Sequence, residues 1–255
     1  LCGLKKSELQ AVIDGASSQP LVCQEMLLED GGLSKRIRGF EGFESIAFVD
    51  NAVYLTIEAR QTTKMVGYLV KGEVDPSSLI ITIDSASAIE IEPQTKFMNA
   101  SDEAMLIADD QVITFFEDNG YTINTAPVAH SYYFTLNEIG SYQMPDIPFR
   151  LTDASEIDAD GIFYVINYFF PGDDHLFTGI DPWSVNGEHD PEVAVERLIP
   201  LQLLEDRLVP ADLPVISLVL SDEARNWEGL ARLDNLGFLL VTDKFPDSIL
   251  AFVRN

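Results

Sequence analysis

The chain has 255 residues but few basic side chains, few cysteines and no long apolar run. Its 16 Lys and Arg residues are outnumbered by 42 Asp and Glu residues, which gives a net charge of −26. Such a surface repels the phosphate groups of nucleic acids and anionic lipids, so we expect neither as a partner. No stretch of about 18 apolar residues is present, so we also expect no transmembrane segment. The acidity indicates either a solvated surface or an attraction for cations and basic partners.

Several catalytic motifs are missing from the sequence as well. It contains no GxSxG nucleophile elbow, no phosphate-binding loop, no dinucleotide-binding glycine pattern, no HExxH and no CxxC pair. Catalysis by a nucleophilic serine or cysteine is therefore not expected.

The two cysteines, Cys2 and Cys23, can form at most one disulfide and do not identify a cellular compartment. Cys2-Gly3 matches the lipidated end of an exported lipoprotein, although Leu1 is larger than the residue that such cleavage sites favour. We expect a periplasmic or extracellular protein, and the sequence leaves lipid attachment open.

What the chain does contain is a pattern that occurs four times. Each copy has a polar residue, an apolar residue two positions later, an Asp-rich turn and an apolar strand that ends at a polar side chain. The copies are residues 43–58, 102–117, 154–167 and 227–243. Two further strand-like segments follow each of the first three copies, so each unit is predicted to form the four strands of a β-propeller blade. Unrelated hairpins in a β-sandwich are the alternative.

The fourth unit reaches the end of the chain with three strand-like segments. We predict that residues 21–28, a lone strand-like segment near the start, supply the fourth strand of this last blade. Joining the first and last elements closes the ring and removes an exposed sheet edge. The predicted architecture is therefore all-β, a single four-bladed propeller over residues 21–255 preceded by an N-terminal extension of residues 1–20. Five blades are the alternative, if residues 88–96 pair independently.

Polar side chains recur where each predicted innermost strand begins and where the second strand of each blade ends. In a propeller these loops open at the same end of the central channel. The predicted entry positions are Glu44, Glu103, Ser155 and Glu228, and the predicted exit positions are Glu58, Glu117, Asn167 and Asp243. Six of these eight side chains are carboxylates, which cannot share one channel mouth unless their charge is compensated.

Two kinds of group can neutralise this predicted mouth. Basic side chains in the same loops would form ion pairs between blades, and they are Arg38, Arg60, Lys64, Lys96, Arg150, Arg225 and Lys244. A bound cation is the other possibility, and calcium suits carboxylate and amide oxygens on separate loops. The candidate metal ligands are Glu44, Glu58, Glu103, Glu117, Asn167, Glu228 and Asp243. Unless ion pairs alone neutralise the mouth, we expect it to hold a small molecule or a cation.

Residues 169–193 form an insertion in the third unit that is far longer than a hairpin loop requires. The insertion contains His175 and His189 among several Asp residues. A histidine beside carboxylates near a channel can act as a general base or a metal ligand. The alternative is a surface loop whose histidines have no special role.

The segments 40–58 and 226–253 resemble a strand pair of known bacterial propellers. Their sequences, FEGFESIAFVDNAVYLTIE and NWEGLARLDNLGFLLVTDKFPDSILAFV, are similar to the E-G-[IL]-A…D strand pair of esterase-like phytases and SdiA-regulated proteins. The similarity to lactonase-type, gluconolactonase-like propellers is weaker, and the Pro that usually follows their E-G is missing here. The resemblance implies an exported propeller with calcium in its channel. In the lactonase type a Glu, an Asn and an Asp bind a divalent metal, and Glu228, Asn167 and Asp243 are the matching positions.

Two functional hypotheses follow from these observations. The first is an exported binding propeller whose acidic mouth holds a cation or a small ligand. The second is a metal-dependent hydrolase of phosphoesters or lactones, in which Glu228, Asn167 and Asp243 bind the metal and His175 or His189 is the base. If ion pairs alone neutralise the mouth, the chain is a structural module.

Overall fold

The computed structural model describes residues 1–173, 176, 180–218, 224–244 and 246–254. Within these ranges almost every element is a β-strand, and the sheets form the four-bladed β-propeller that the repeats predict. None of the described helices is long and apolar enough to cross a membrane.

The four blades follow one another along the chain after a short N-terminal segment. The segment contains β1 (Cys2–Gly3), α1 (Lys6–Ile13), β2 (Gln24–Glu25), β3 (Leu27–Glu29) and α2 (Leu33–Arg36). Blade one contains β4 (Phe40–Val49), β5 (Ala52–Arg60), β6 (Met65–Asp75), β7 (Ile80–Ile83) and β8 (Ile89–Glu90). Blade two contains β9 (Asp102–Ala108), β10 (Gln111–Phe116), β11 (Val128–Tyr133) and β12 (Glu138–Gln143). Blade three contains β13 (Arg150–Ala154), β14 (Ile162–Phe169), β15 (Val195–Leu203), β16 (Leu208–Pro210) and β17 (Ile216–Ser217), and blade four contains β18 (Trp227–Leu233), β19 (Gly237–Thr242) and β20 (Leu250–Arg254).

The innermost strands of the blades are β4, β9, β13 and β18, each at one edge of its sheet. They stand in chain order, because β4 contacts β9, β9 contacts β13, and β13 contacts β18. The turns that follow three of them contain Asp50, Asp109 and Asp234, whose φ angles are 52°, 52° and 49°. Aspartate tolerates this left-handed conformation better than most residues with a side chain. The Asp-rich turns that define the repeat are therefore confirmed.

Apolar layers between consecutive blades hold this order. Blades one and two pack through Tyr54, Leu69, Met105, Val112 and Tyr132. Blades two and three pack through Leu106, Phe115, Leu151, Phe163 and Ile199, and blades three and four through Ile166, Leu198, Trp227, Phe238 and Leu240. Full burial of each such side chain stabilises the fold by about 1.5–3 kcal/mol. Within the described ranges, no apolar cluster of this kind joins blade four to blade one.

The predicted strand of residues 21–28 is shorter in the structure, where β3 covers Leu27–Glu29, and it adds to a different blade. β3 pairs in parallel with β7, with Leu27 opposite Ile80, and so forms the outer edge of blade one. The prediction that it completes blade four is wrong. The physical reason is burial, because Leu28 packs on the apolar cluster of blade one together with Leu33 of α2. Blade four has three strands in the described part of the chain.

Residues 88–96, the candidate fifth blade, contribute β8 to blade one. This short strand pairs with β6, where Glu90 lies opposite Tyr68. The four-bladed arrangement therefore holds, and the alternative of a fifth blade is wrong.

The segment before β3 connects blade one to blade four. Lys6 on α1 places its Nζ 2.5 Å from Oδ1 of Asp234, in the inner turn of blade four. Arg254, at the end of β20, donates a hydrogen bond of 3.4 Å to a backbone carbonyl at the end of α1. A disulfide between Cys2 and Cys23 closes the loop that contains α1. Polar contacts and a disulfide thus join the first and last parts of the ring.

Candidate functional site

Each innermost strand carries a β-bulge near the start of the strand. The pairing register shifts within residues 43–46, 102–104, 151–154 and 227–229. A bulge inserts one extra residue and re-aims the side chain it carries. The entry positions in these bulges are Glu44, Glu103, Thr152 and Glu228, and the exit positions that match them on the next strand are Glu58, Glu117, Tyr168 and Asp243.

Five of these eight side chains line a pocket of about 330 Å³ at the channel mouth, which we call the mouth pocket. It is lined by Asn99, Glu103, Glu117, Arg150, Thr152, Tyr168, Phe170, Asn226 and Glu228. Three of the predicted metal ligands therefore line one pocket. Glu44 and Asp243 lie close enough to Glu228 to interact with its charge, and Glu58 interacts in the same way with Glu44.

The entry position of blade three is Thr152 and not the predicted Ser155. The Ser155 hydroxyl accepts a hydrogen bond of 3.0 Å from the backbone N–H of Tyr164, within blade three. The three carboxylate entry positions precede their turn aspartates by six residues (50 − 44 = 109 − 103 = 234 − 228 = 6), and Thr152 precedes Asp158 by the same number. Counting back from Asp158 would have found Thr152.

The exit position of blade three also differs from the prediction, because Asn167 does not line the mouth pocket. Its amide donates to the carbonyl oxygens of Pro148 at 2.8 Å and Arg150 at 3.2 Å, and its Oδ1 accepts a bond of 2.9 Å from Arg197 Nε. Neighbouring side chains of a strand point to opposite faces, so Tyr168 reaches the pocket instead. Asn167 is a fully buried structural residue and is not brought together with the other candidate ligands.

Glu103 and Glu117 line the mouth pocket beside Arg150, and their charges interact. The Arg150 guanidinium contacts Glu117 and binds Asp173 through two bonds of 2.9 and 3.2 Å. Burial raises the pKa of Glu117 to about 8, although the charge of Arg150 opposes this rise. Burial and the charge of Glu117 raise the pKa of Glu103 well above its usual range. Burial and mutual repulsion therefore oppose full ionisation of both carboxyl groups, whereas Arg150 favours the ionised form of Glu117.

A second carboxyl pair lies in blade four and a third group of carboxyls in blade one. Glu228 interacts with the charge of Asp243, and Asn226 Nδ2 donates to Glu228 Oε1 at 2.6 Å. Burial, followed by the charge of Asp243, raises the pKa of Glu228 to about 7. Burial and the charge of Glu44 raise the pKa of Glu58 to about 7, and burial also raises the pKa of Glu44. Several carboxyl groups of the mouth are therefore partly protonated at neutral pH.

Ion pairs compensate a small part of the charge at the mouth. Arg150 is the basic residue among the described side chains that line the pocket. Arg60 binds Glu41 at 2.6 Å and Lys64 binds Glu90 at 3.0 Å, and neither carboxylate is an entry or exit position. No group of three or more His, Cys, Asp or Glu within the described ranges is placed to hold a metal ion. Burial and like charge favour protonation of several of these carboxyl groups, and calcium binding stays a prediction.

The two candidate histidines do not join this site. His175 lies outside the described residues. His189 packs edge-on against Phe149 and Phe169, with ring centres 4.8 Å apart in both cases. Burial lowers the pKa of His189, which keeps it neutral, and it is not among the described residues that line the mouth pocket.

A buried ion pair fixes the insertion of blade three to the propeller. Arg197 binds Asp181 through two bonds of 2.7 and 2.8 Å, and the two side chains are 9% and 3% exposed. The Arg197 guanidinium also lies over the ring of Trp183, 5.4 Å from its centre. Phe170, at the start of the insertion, lines the mouth pocket.

Comparison with known proteins gives similarity to solved structures alone, since no family model and no curated protein matches the chain. An acylaminoacyl peptidase from Pyrococcus horikoshii is 9% identical, with a TM-score of 0.39 over 90% of this chain and 34% of that one. The catalytic domain of a GH62 alpha-L-arabinofuranosidase from Coprinopsis cinerea is 9% identical, with a TM-score of 0.35 over 85% and 90% of the two chains. An alpha-L-arabinofuranosidase from Podospora anserina, solved with cellotriose, is 7% identical, with a TM-score of 0.30 over 85% and 91%. The chain spans about a third of the length of the peptidase, and these identities assign it neither a family nor an activity.

Proposed function

We propose that the protein is a binding propeller whose mouth pocket holds a small organic ligand with a positively charged group. The observation that carries this proposal is the set of proton-sharing carboxyl groups around the pocket, with Arg150 already engaged by Glu117 and Asp173. An ammonium or guanidinium group can replace those protons and form charge-assisted hydrogen bonds with the carboxylates. The exchange leaves the buried mouth without additional net charge, which would be costly there.

The size and lining of the pocket favour an organic ligand over a bare ion. Its 330 Å³ lies near the lower end of the range of about 300–1,000 Å³ for small-molecule sites. Tyr168 and Phe170 supply aromatic surface for carbon atoms of the ligand and for cation–π contacts. Asn99 and Asn226 add amide groups that can fix its orientation.

Thermal unfolding and titration calorimetry with small cations test this proposal. Agmatine and putrescine are suitable probes, with uncharged 1,4-butanediol and calcium chloride for comparison. We expect the organic cations to raise the Tm and to release protons, so that the binding enthalpy depends on the ionisation enthalpy of the buffer. Affinity should fall from pH 8 to pH 5, because protons compete with the ligand for the carboxyl groups.

Two variants connect binding to the pocket. Glu103→Gln and Glu228→Gln should each weaken binding about tenfold or more. Glu25→Gln, on the exposed strand β2, removes one negative charge elsewhere and should leave binding unchanged. If calcium chloride alone raises the Tm, the ligand of the pocket is a metal ion and not an organic cation. If none of the probes raises the Tm or binds, the proposal is refuted.

A hydrolase is the second candidate function, because burial raises the pKa of Glu117 beside another carboxyl group. A pKa of about 8 suits a general acid in the cleavage of a phosphoester or a lactone. Turnover of p-nitrophenyl phosphate or of a simple lactone, with and without calcium, tests this candidate. Glu117→Gln should abolish any such activity, and a lack of turnover under both conditions would eliminate the candidate.

An exported location, periplasmic or extracellular, belongs to the same proposal. The Cys2–Cys23 disulfide supports it, because disulfides persist mainly in oxidising compartments. Fractionation of the source cells, with detection of the disulfide by thiol labelling, tests the location. The resemblance to esterase-like phytases and SdiA-regulated proteins likewise stays a prediction.

A further inference from the structure

The outer edge of blade four has no strand partner among the described residues. β20 pairs with β19 on one side, and none of the described strands pairs with its other side. The sheets of blades one, two and three have six, four and five strands, compared with three in blade four. Every second residue of β20 therefore directs its N–H and C=O groups away from the sheet, with no strand partner in the described ranges.

The side chains at this edge favour the addition of another strand. Residues 250–253 are apolar and contain no Pro, Lys or bulge, which are features that protect the edges of natural sheets. Leu250 lies opposite Val241, and the two side chains are 39% and 41% exposed. Phe252 is two residues further along β20 and so shares this face. An added strand can bury its own apolar side chains on the strip that these residues form.

The N-terminal segment leaves most of this edge accessible. β3, the strand predicted to cover it, lies on blade one. The contact of α1 with β20 is at the far end of the strand, where Arg254 reaches the carbonyl of Ile13. Residues 250–253 are the part of the edge that α1 does not contact. At roughly 3.3 Å per residue they present about 13 Å of backbone to an added strand.

We propose that blade four accepts an extended segment of a partner protein as its fourth strand, and that this segment alternates apolar with basic residues. In such strand addition the main-chain hydrogen bonds supply affinity and the alternate side chains supply specificity. The charge of the chain as a whole favours a basic partner, because its net charge is −26. A second copy would bring the same negative charge to the interface, which opposes its approach.

Labelled peptides added to the intact protein test the proposal. A fluorescent peptide of alternating Val and Lys should bind saturably, measured by anisotropy. Binding should also slow amide hydrogen exchange in residues 250–253. A peptide of alternating Val and Glu, and the Val-Lys peptide with a central Pro, should bind at least about tenfold more weakly.

Variants of β20 locate the binding at the edge. Leu250→Lys should weaken peptide binding about tenfold at an unchanged Tm, whereas Ile139→Lys, at an exposed position on the outer strand of blade two, should not. Ala251→Pro and Phe252→Pro form a matched pair, because the N–H groups of neighbouring residues point to opposite sides of the strand. The variant whose N–H points outward should keep its Tm and lose the peptide, and the other should lose stability.

Two results would overturn the proposal. Equal peptide binding by Leu250→Lys and the unchanged protein, or a lack of exchange protection in residues 250–253, would exclude strand addition at this edge. A concentration-dependent dimer in sedimentation that Leu250→Lys abolishes would assign the edge to a second copy instead of a partner. Neither result depends on ligand binding in the mouth pocket.

Discussion

Replacement of Glu228 by Gln tests whether protons compensate the charge at the mouth. Glu228 Oε1 accepts a bond of 2.6 Å from Asn226 Nδ2, and the charge of Asp243 raises the pKa of Glu228. An amide can reproduce the bond from Asn226 with its oxygen and can donate from its nitrogen towards Asp243. The substitution therefore removes the ionisable group and retains the contacts of the protonated acid.

The expected size of the effect follows from the pKa of Glu228. A carboxyl group whose pKa is higher in the folded than in the unfolded protein binds more protons when folded between those two values. The free energy of unfolding therefore falls as the pH rises through that interval, which for Glu228 runs from 4.5 to about 7. One pKa unit corresponds to about 1.4 kcal/mol, and we reduce the full effect to about 1–2 kcal/mol because solvent screens this partly exposed group. Glu228→Gln should stabilise the protein by that amount at pH 8 and have little effect at pH 5.

Urea unfolding followed by circular dichroism at both pH values measures this difference. The unchanged protein should lose stability between pH 5 and pH 8, and Glu228→Gln should lose less. Glu25→Gln is the matched control, since it removes one negative charge from an exposed strand. If Glu228→Gln destabilises the protein equally at both pH values, Glu228 acts as an ionised structural group and protons do not compensate the mouth.

Two further predictions concern the anchors of the fold. Arg197→Met should lower the free energy of unfolding in urea by about 3–5 kcal/mol, because it leaves the charge of Asp181 buried without its partner; a loss below about 1 kcal/mol would contradict this assignment. Replacement of Cys2 and Cys23 by Ser should lower it by about 2–4 kcal/mol through loss of the disulfide. A reductant should have the same effect on the unchanged protein and none on the double variant, so an equal response of both would count against a stabilising disulfide.

The repeat predicts the fold because each of its parts has a local physical cause. Asp50, Asp109 and Asp234 tolerate the left-handed conformation that the turns require, and the apolar runs on either side form the paired strands. These features depend on one hairpin at a time, so the sequence alone locates them. The position of residues 21–28 is different, because every sheet edge presents the same backbone groups. The burial of Leu28 on blade one decides between the edges, and that contact depends on the folded chain.

The entry and exit positions at the mouth are predicted correctly in blades one, two and four. In blade three they are not, for a related reason. The search for polar residues around the third turn selected Ser155 and Asn167, whereas Thr152 and Tyr168 occupy the structural positions. Thr152 and Tyr168 are not carboxylates, so residue type does not identify them as members of the series. The six-residue spacing between the entry position and the turn aspartate does identify Thr152. The crowding of carboxylates predicted that compensation is needed. The form of compensation that we propose is shared protons. It depends on burial and on the closeness of the carboxyl groups, which exist only in the folded protein.

The junction between blades one and four has to be held in a different way from the other junctions. Ile46 and Phe48 on β4 lie opposite Leu55 and Val53, on the face of blade one that is turned away from blade two. They are 40% and 48% exposed, because no apolar layer from the described part of blade four covers them. The contacts of α1 with blade four are surface polar contacts, each of which contributes at most about 1 kcal/mol. The disulfide ties that helix to the strand on blade one, so a bond at the surface stabilises the junction where the ring has its weakest packing.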